Sequence, residues 1–324
     1  SALDMADVQG QPVARRALEI AAAGAHHLLL VGPPGAGKTM LAERLVGLLP
    51  PLTDEEAIAT TMVHSSVHLE SPNAGLIRRA PYRAPHHSSS MVSMVGGGTA
   101  LMRPGEISLA SNGVLFLDEL GEFAPSVLDA LRQPLEEGVV RVARAKSSVQ
   151  LPAKFLLVAA TNPCPCGEGT PGLCVCDDRA KQKYLRRFSG PLLDRFDLRV
   201  AVTRPHVDEL LAAKPAESSK DIALRVATAR ELAISRNGCL NSALSADALE
   251  KCAPLTPAAA SLLRHHVERG RLSGRGYHRI RRVARTVSDL RDQSECVDEV
   301  HVAVALALRV GVQPQFSGDK VVQA

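Results

Sequence analysis

A glycine-rich run near the start of the chain has the residues of a phosphate-binding loop. It reads GPPGAGKT from Gly32 to Thr39 and fits the spacing G-x4-G-K-[ST]. In such loops backbone N–H groups close around phosphate oxygens, the lysine approaches the outer phosphates and the hydroxyl reaches Mg²⁺. A chance match is the alternative, but an apolar run precedes the loop and a helical pattern follows it. The sequence therefore predicts an ATP–Mg²⁺ site that includes Gly32, Pro33, Gly35, Ala36, Gly37, Lys38, Thr39 and Met40.

Polar residues end two later apolar runs. Asp118 and Glu119 lie in GVLFLDEL, about 80 residues after Lys38, and Asn162 ends AKFLLVAATN. An aspartate at a strand end can hold Mg²⁺, and the neighbouring glutamate can polarise an attacking water. Asn162 would then orient that water, although an asparagine here could also simply cap a loop. We expect Lys38, Glu119 and Asn162 to be catalytic, and Thr39 and Asp118 to bind Mg²⁺.

Four cysteines follow within a short loop. They have the spacing C-x-C-x7-C-x-C and are Cys164, Cys166, Cys174 and Cys176. Four thiolates suit tetrahedral Zn²⁺ and leave no open position for chemistry, although the usual ribbon spacing is C-x2-C. A redox pair and incidental thiols are the alternatives. A short loop between glycines and prolines cannot keep its conformation by burial alone. A metal cross-link therefore explains the cysteines better than these alternatives do, and we expect a structural zinc site.

One single arginine and one group of three are candidates to interact with phosphate. Arg195, in SGPLLDRFDL, could pair internally with Asp194 or Asp197, or it could reach a neighbouring subunit's γ-phosphate as an arginine finger. Three others fall at i, i+4 and i+7 and share one helix face: Arg275, Arg279 and Arg282. A run of arginines is usually a solvated face, but this one could equally close over a nucleotide.

The composition is that of an ordinary globular protein, and it excludes several classes. The 324 residues are 45% hydrophobic, and the net charge of +4 is too mild to require a nucleic-acid partner. Aromatic residues make up 3% and Trp is absent, which argues against recognition of nucleic acid by base stacking. No run is long enough to span a membrane, no signal-peptide core begins the chain, and the odd number of seven cysteines favours a reducing cytoplasm.

Apolar runs alternate with helical stretches as far as Pro205. Fully apolar strands separated by helices predict a parallel sheet that is covered on both faces. Beyond Pro205 helical patterns dominate, including a long arginine-rich helix after Gly276. We therefore predict an α/β nucleotide-binding core in residues 1–205, a helical lid in residues 206–312 and a tail in residues 313–324.

Several longer stretches resemble the magnesium-chelatase-like ComM/YifB family of AAA+ ATPases. This family is similar to magnesium-chelatase motor subunits and MCM helicases, and with them it forms the helix-2-insert group. The matching stretches extend to about residue 310 and include DVQGQ, GPPGAGKT, YRAPHHSSS, RPGEISLASNGVLFLDEL, NPCPCG, SGPLLDRFD and LSGRGYHRIRRVART. Members usually carry a Lon-protease-like domain before the ATPase, so this chain, which begins at the ATPase, resembles a fragment of a longer protein.

The resemblance implies an αβα AAA+ core with a parallel sheet and a C-terminal all-helical lid. It also implies a homo-hexameric ring with nucleotide between subunits, in which Arg195 is the finger. Asn162 becomes the first sensor, Arg275 the second sensor, and Val8 a neighbour of adenine. The implied function is an ATP-driven DNA helicase that promotes branch migration during natural transformation. The alternative is a chelatase-type motor that remodels a protein partner for metal insertion into a tetrapyrrole.

A segment before the cysteine loop bears on the choice between these functions. Val139–Leu151 reads VVRVARAKSSVQL and alternates apolar and polar residues on both sides of a turn, which predicts a β-hairpin. A solvated surface hairpin is the alternative. In MCM helicases a hairpin at this place points a basic side chain into the ring pore. The resemblance therefore implies that Arg144 and Lys146 contact the DNA backbone without reading bases.

Overall fold

The chain folds into two compact units. The structure is a computed structural model, and it describes residues 3–67, 75–97, 103–143, 148–169, 173–188, 190–205 and 216–310. Unit one combines Ser1–Leu49 with Phe196–Ala324, and unit two is Pro50–Arg195. The chain therefore begins unit one, builds unit two and then returns to unit one. The domain boundaries at residues 205 and 312 stay predictions.

Short strands and helices alternate along the described residues. The strands are Leu28–Val31 (β1), Tyr82–Arg83 (β2), Gly96–Gly97 (β3), Arg103–Pro104 (β4), Val114–Leu117 (β5), Val139–Ala143 (β6), Ser148–Pro152 (β7), Leu156–Thr161 (β8) and Leu198–Ala201 (β9). The α-helices are Pro12–Gly24 (α1), Lys38–Leu45 (α2), Asp54–Ser65 (α3), Met91–Val95 (α4), Glu106–Leu109 (α5), Pro125–Ala130 (α6), Arg132–Glu137 (α7), Asp178–Leu185 (α8), Gly190–Leu193 (α9), Ser219–Asn237 (α10), Ala246–Cys252 (α11), Pro257–Glu268 (α12), Gly274–Arg291 (α13) and Glu299–Val310 (α14). Short 3-10 helices cover Met5–Asp7, Val46–Leu48, Leu120–Glu122 and Asn241–Ala243.

A pair of buried parallel strands forms the α/β part of unit one. β1 and β9 pair with Leu28 opposite Leu198 and Val31 opposite Ala201. Every residue of β1 is buried, which explains its continuous apolar sequence. α1 begins at Pro12, whose fixed φ suits the first helical position, and most of its later residues are buried.

Helices fill the remainder of unit one. The helices α10 to α13 each begin after a hydroxyl residue that accepts a hydrogen bond from a backbone N–H three residues later: Ser218, Ser245, Thr256 and Ser273. The arginine-rich helix α13 begins at Gly274, three residues before the predicted start after Gly276, because the Ser273 hydroxyl caps the Gly276 N–H. The described residues from Ser219 to Val310 are thus mainly helical, as predicted.

Unit two is built on three parallel strands in the order β2–β5–β8. β5 and β8 are buried along their whole length, with Leu117 opposite Ala159. Two antiparallel pairs, β3–β4 and β6–β7, form separate small sheets. The parallel strands and the helical C-terminal region confirm the predicted fold class, an AAA+ α/β core followed by helices. Among the residues with described structure, none of the helices has the length and hydropathy that a bilayer crossing needs.

A buried carboxylate joins the helices of unit one to β9. Asp197 is 5% exposed, and its carboxylate lies 3.2 Å from His26 Nδ1 and 2.7 Å from Arg279 Nη1. Although burial opposes ionisation, the hydrogen bond with His26 and the charge of Arg279 hold the pKa of Asp197 well below its ordinary range. His26 Nε2 also lies 2.8 Å from the Thr286 hydroxyl, so residues beside α1, before β9 and within α13 share one polar cluster.

We predict that Asp197→Asn lowers the free energy of unfolding by about 3 kcal/mol, because it removes the buried carboxylate that pairs with the half-buried guanidinium of Arg279. The folded-state pKa is depressed, so the stability that Asp197 contributes is complete above the unfolded-state pKa of about 3.9 and is lost as the pH falls through the folded value. Urea unfolding at pH 7 and pH 3 should therefore show the difference between wild type and variant shrinking at the lower pH.

The matched control for this experiment is Asp129→Asn, which removes an exposed ion pair with Arg132. It should change the free energy of unfolding by less than about 1 kcal/mol at either pH. Equal losses in the two variants would show that burial of Asp197 adds nothing to its ion pair.

Candidate nucleotide site and four-cysteine cluster

The predicted phosphate loop of unit one joins β1 to α2. Gly35 and Gly37 have φ angles of 75° and 89°, in the left-handed region that glycine enters without strain. A Cβ at Gly32 would lie 2.1 Å from the Val202 carbonyl oxygen, so only glycine fits beside the end of β9. α2 begins at Lys38, directly after the loop, and its first backbone N–H groups and positive dipole end are suited to an anion.

The lysine of the loop is buried against the loop's own backbone. The Lys38 ammonium donates to the carbonyl oxygens of Gly32 and Pro33 at 2.6 Å and 2.9 Å. Thr39 is exposed and Met40 is half-buried in the first turn of α2. Because phosphate oxygens are stronger acceptors than peptide carbonyls, a bound phosphate can replace these carbonyls as partners of the ammonium.

Two side chains that no motif predicted hold the loop in place. Gln11 Nε2 donates to the carbonyl oxygens of Ala36, at 3.4 Å, and Thr203. Arg204 Nε donates to the Pro34 carbonyl oxygen at 3.3 Å. Gln11 lies in the DVQGQ stretch, which was the only signal in the sequence, and its partners are too far along the chain to follow from local spacing.

Other predicted residues of unit one occupy different environments. Val8 is fully buried, and its carbonyl oxygen accepts a hydrogen bond from Arg15 Nη1 at 3.1 Å. Arg275 is exposed in the first turn of α13. Arg279 is bound to Asp197, and Arg282 Nε donates to the Leu244 carbonyl oxygen at 2.7 Å. A solvated arginine face is therefore wrong for Arg279 and Arg282.

In unit two, the predicted acidic pair follows β5 and the predicted asparagine follows β8. These strands are parallel neighbours, so Asp118, Glu119 and Asn162 follow strand ends at the same edge of that sheet. The Glu119 N–H donates to Asp118 Oδ1 at 2.9 Å. Glu119 itself has a φ of 50° and an exposed side chain. A strained backbone beneath an exposed carboxylate is typical of functional positions.

A histidine that no motif predicted contacts this carboxylate. His87 Nδ1 lies 3.2 Å from Glu119 Oε2. Its ring lies against His86, with centroids 4.0 Å apart, and meets Phe123 edge-on at 6.5 Å. The signal in the sequence was the pair of histidines in YRAPHHSSS, but no spacing connected that pair with Glu119.

The predicted finger residue, Arg195, has an ion-pair partner within unit two. It contacts Glu136 of α7, whereas the sequence pointed to Asp194 or Asp197 as internal partners. Glu136 is far from Arg195 along the chain, so local spacing could not indicate it. The role of Arg195 as a finger stays a prediction.

The four predicted cysteines come together in unit two. Their Sγ atoms all lie within 4.8 Å of one another. The Sγ–Sγ distances are 3.3 Å for Cys164–Cys166, 3.7 Å for Cys164–Cys174 and 3.8 Å for Cys166–Cys174. A tetrahedral zinc ion with Zn–S bonds of about 2.3 Å requires sulfur atoms about 3.8 Å apart. The donor set and its spacing therefore fit one such ion.

The surroundings of the cluster shift the pKa values of its thiols in opposite directions. The Cys166 N–H donates to Cys176 Sγ at 3.4 Å. A hydrogen bond from the Glu168 backbone lowers the pKa of Cys166 to about 6, whereas burial raises the pKa of Cys164 to about 12. All seven cysteines of the chain fall in its described parts, and all are free thiols.

The predicted β-hairpin is confirmed. β6 and β7 are antiparallel, with Val139 opposite Pro152 and Ala143 opposite Ser148. The two residues predicted to contact DNA, Arg144 and Lys146, lie outside the described residues. Their contacts stay predictions.

Comparison with known proteins decides the family. The family described as magnesium chelatase, subunit ChlI, matches residues 4–210, and its C-terminal part matches residues 216–309. The chain belongs to this family. The two matches together extend over the phosphate loop, the acidic strand end, the cysteine cluster and the helices of unit one.

Individual relatives agree with this assignment. Competence protein ComM of Haemophilus influenzae is 47% identical over 312 residues, which cover 96% of this chain and 61% of ComM. YifB of Escherichia coli is 45% identical over 307 residues, which cover 94% of this chain and 60% of YifB. A more distant relative, the probable DNA helicase MCM9 of Arabidopsis thaliana, is 27% identical over 175 residues, covering 54% of this chain and 22% of MCM9. The resemblance to ComM and YifB is confirmed, and the chain spans about three fifths of their length.

Proposed function

We propose that this chain is an ATP-driven DNA motor that acts as a homo-hexameric ring helicase and promotes branch migration of DNA in recombination or natural transformation. The observation that carries the proposal is the phosphate loop, with left-handed glycines at positions 35 and 37 and a buried Lys38 that begins α2. Membership in an AAA+ family supports ATP hydrolysis. The choice of DNA as partner rests on the hairpin and the relatives.

In this proposal the loop N–H groups and Lys38 bind the phosphates of ATP. Thr39 and Asp118 hold Mg²⁺, which neutralises phosphate charge when it is bound. Glu119 accepts a proton from the attacking water, and the Asn162 amide orients that water. The exposed position of the Glu119 carboxylate supports this role, because a base must reach the substrate.

Three further residues complete the proposed nucleotide chemistry. Arg195 acts in trans, leaving Glu136 for the γ-phosphate held by the neighbouring subunit. Arg275 approaches the phosphates as a second sensor, which its exposure supports. Val8 lies near adenine in the bound state. The family's motifs imply these roles at the matching positions of this chain.

The support for DNA comes from charge and from relatives. The residues between β6 and β7 include Arg144 and Lys146. Six copies in a ring would present twelve positive charges to backbone phosphates without reading bases. One relative is named a probable DNA helicase and another a competence protein. The low aromatic content fits a backbone-contact mode, because base stacking needs aromatic side chains.

We also propose that the four-cysteine cluster holds a structural Zn²⁺. All four Sγ atoms serve as ligands, and four protein ligands leave no open position for catalysis. When bound, the ion supplies a cross-link between two parts of the loop. Free thiols throughout the chain fit a reducing cytoplasm as its compartment.

A second candidate is a magnesium-chelatase-type motor that remodels a protein partner for metal insertion into a tetrapyrrole. The description of the matching family favours it, since that family is named for a magnesium chelatase subunit. The two candidates share the ATPase chemistry and differ only in the partner that is driven.

Glu119→Gln should lower kcat for ATP hydrolysis at least about 100-fold, because the amide keeps the size of the side chain but cannot accept a proton. ATP affinity should stay within about twofold of wild type. Phosphate release and nucleotide-binding titrations measure the two quantities. Glu55→Gln, at an exposed glutamate in the first turn of α3, is the matched control and should keep wild-type turnover. Undiminished turnover in Glu119→Gln would assign the base to another residue.

Changing Arg144 and Lys146 together to Ala should weaken DNA binding and flatten its dependence on salt. Each lost phosphate contact reduces the slope of log K against log salt by about 0.9 for duplex and about 0.7 for single strands. The control, Arg78→Ala with Arg79→Ala, removes the same charge from exposed arginines elsewhere in unit two. If both double variants keep the wild-type slope while ATP turnover persists, the chelatase-type function takes first place.

Protein purified under reducing conditions without chelator should contain about one zinc ion per chain, because one cluster offers four thiolates. Cys174→Ser should reduce the zinc content below about a tenth of this value. Cys252→Ser, at a half-buried cysteine of α11, should leave it unchanged. Elemental analysis of the three proteins decides the matter, and a wild type without zinc would refute the site.

A further inference from the structure

The four-cysteine loop leads directly into a helix that contacts the two segments of unit two expected to carry catalytic residues. α8 is capped by Asp177, the residue after Cys176, and its side-chain cap accepts from the Ala180 N–H. Near the end of α8, Tyr184 is 7% exposed. Its hydroxyl lies 2.9 Å from the Thr161 hydroxyl, in a buried hydrogen bond. Thr161 is the last residue of β8 and precedes Asn162 directly.

The ring of Tyr184 lies against the segment that follows Glu119. A Cβ at Gly121 would lie 3.0 Å from both Cε2 and Oη of Tyr184 and 3.2 Å from Cζ of Phe188. The Tyr184 and Phe188 rings meet edge-on, with centroids 5.3 Å apart, and form one surface under this glycine. Gly121 belongs to the 3-10 turn Leu120–Glu122, for which Glu119 is the N-cap.

Arg187 strengthens the contact between α8 and the turn Leu120–Glu122. Arg187 Nη1 donates to the Gly121 carbonyl oxygen at 3.1 Å and pairs with Glu122 Oε1 at 3.0 Å. The turn that begins at Glu119 is therefore held by an aromatic surface and by two polar contacts. Such support matters because Glu119 has a φ of 50°, a conformation that a non-glycine residue keeps only when its surroundings impose it.

The hydroxyl of Tyr184 is suited to a lasting contact. Burial raises the pKa of Tyr184, so the phenol keeps its proton at neutral pH even though the Thr161 hydroxyl and the Asn162 backbone oppose the shift. The Thr161 hydroxyl also donates to the Asn162 carbonyl oxygen at 3.3 Å. A short chain of hydrogen bonds therefore connects Tyr184 with the backbone of Asn162.

We propose that Tyr184 is a positioning residue for ATP hydrolysis, which sets the Asn162 amide through Thr161 and the Glu119 carboxylate through Gly121. The inference rests on the proposed ATPase function. It also gives the cysteine cluster a role, because the cluster closes the loop between β8 and α8 and so fixes where α8 begins. Tyr184 itself touches neither nucleotide nor water in this role.

The test is Tyr184→Phe, which removes the hydroxyl and keeps the ring. We expect kcat for ATP hydrolysis to fall about tenfold or more, since small misplacements of reacting groups cost large factors in rate. KM and the affinity for a non-hydrolysable ATP analogue should stay within about twofold. Zinc content should equal that of wild type, which separates this effect from loss of the metal. Thr161→Val should reproduce the kcat loss, and the double variant should lose no more than either single variant.

Tyr82→Phe is the matched control, since it is the same change in the same unit at a tyrosine that stacks on Phe116. It should keep kcat within about twofold of wild type. A purely structural role for Tyr184 would lower the melting temperature of Tyr184→Phe and leave its kcat unchanged well below that temperature, and this result would overturn the inference. Additive losses in the double variant would also overturn it.

If wild type hydrolyses no ATP, with or without DNA, the proposed function fails and the inference fails with it. The other outcomes leave the ATPase function intact.

Discussion

Parallel pairing of fully buried strands is the constraint on which both units depend. The strands β1, β5 and β8 are buried along their whole length and carry no charged side chain, so the charged residues near them lie beyond their ends. In unit two, β5 and β8 are buried throughout, and their register sets Leu117 opposite Ala159. The residues that follow these two strands, among them Asp118 and Asn162, therefore lie at the same edge of the sheet. In unit one the phosphate loop likewise follows the buried strand β1, whereas β9 follows Asp197 and itself carries the buried Arg199.

A sharp turn at the end of a strand requires left-handed backbone angles, which cost free energy in residues other than glycine. The two units accommodate such turns differently. The phosphate loop uses glycine at its left-handed positions, so its backbone is unstrained. Glu119 is also left-handed, but glycine there would remove the carboxylate. The strain is instead tolerated because neighbours hold the turn: His87 contacts the carboxylate, and Tyr184 with Arg187 supports Gly121. The proposed role of Glu119 as the catalytic base would account for a carboxylate at this left-handed position.

Local patterns in the sequence predicted whatever depends on neighbouring residues. Apolar runs gave the buried strands, alternation gave the hairpin β6–β7, and fixed spacing gave the phosphate loop and the grouping of the four cysteines. The start of α13 was missed by three residues, because Ser273 caps the helix earlier than the glycine pattern suggested. The partners of Arg195 and Glu119 were missed for a different reason. Glu136 and His87 are common polar residues at distant positions, and only the folded backbone brings them near.

The arginines of α13 show why charge counted in a sequence overstates the charge that a protein offers to DNA. Arg281 and Arg285 have side chains only 1% exposed, and their guanidinium groups bind Glu250 and Asp289. Arg279 is likewise committed to Asp197. Binding to DNA gains free energy when phosphates exchange small counterions for protein cations, which requires cations that solvent can reach.

Arg279 and Arg285 cannot take part in that exchange without removing a countercharge from the buried carboxylates of Asp197 and Asp289, at a cost of several kcal/mol. Of the helices that the structure describes, the most arginine-rich one therefore stabilises its own unit, and it is a poor candidate for the DNA contact. The cations that remain for a DNA backbone must come from exposed segments. This is why the choice between a DNA motor and a protein-remodelling motor depends on the residues between β6 and β7, and not on the basic character of the helical region.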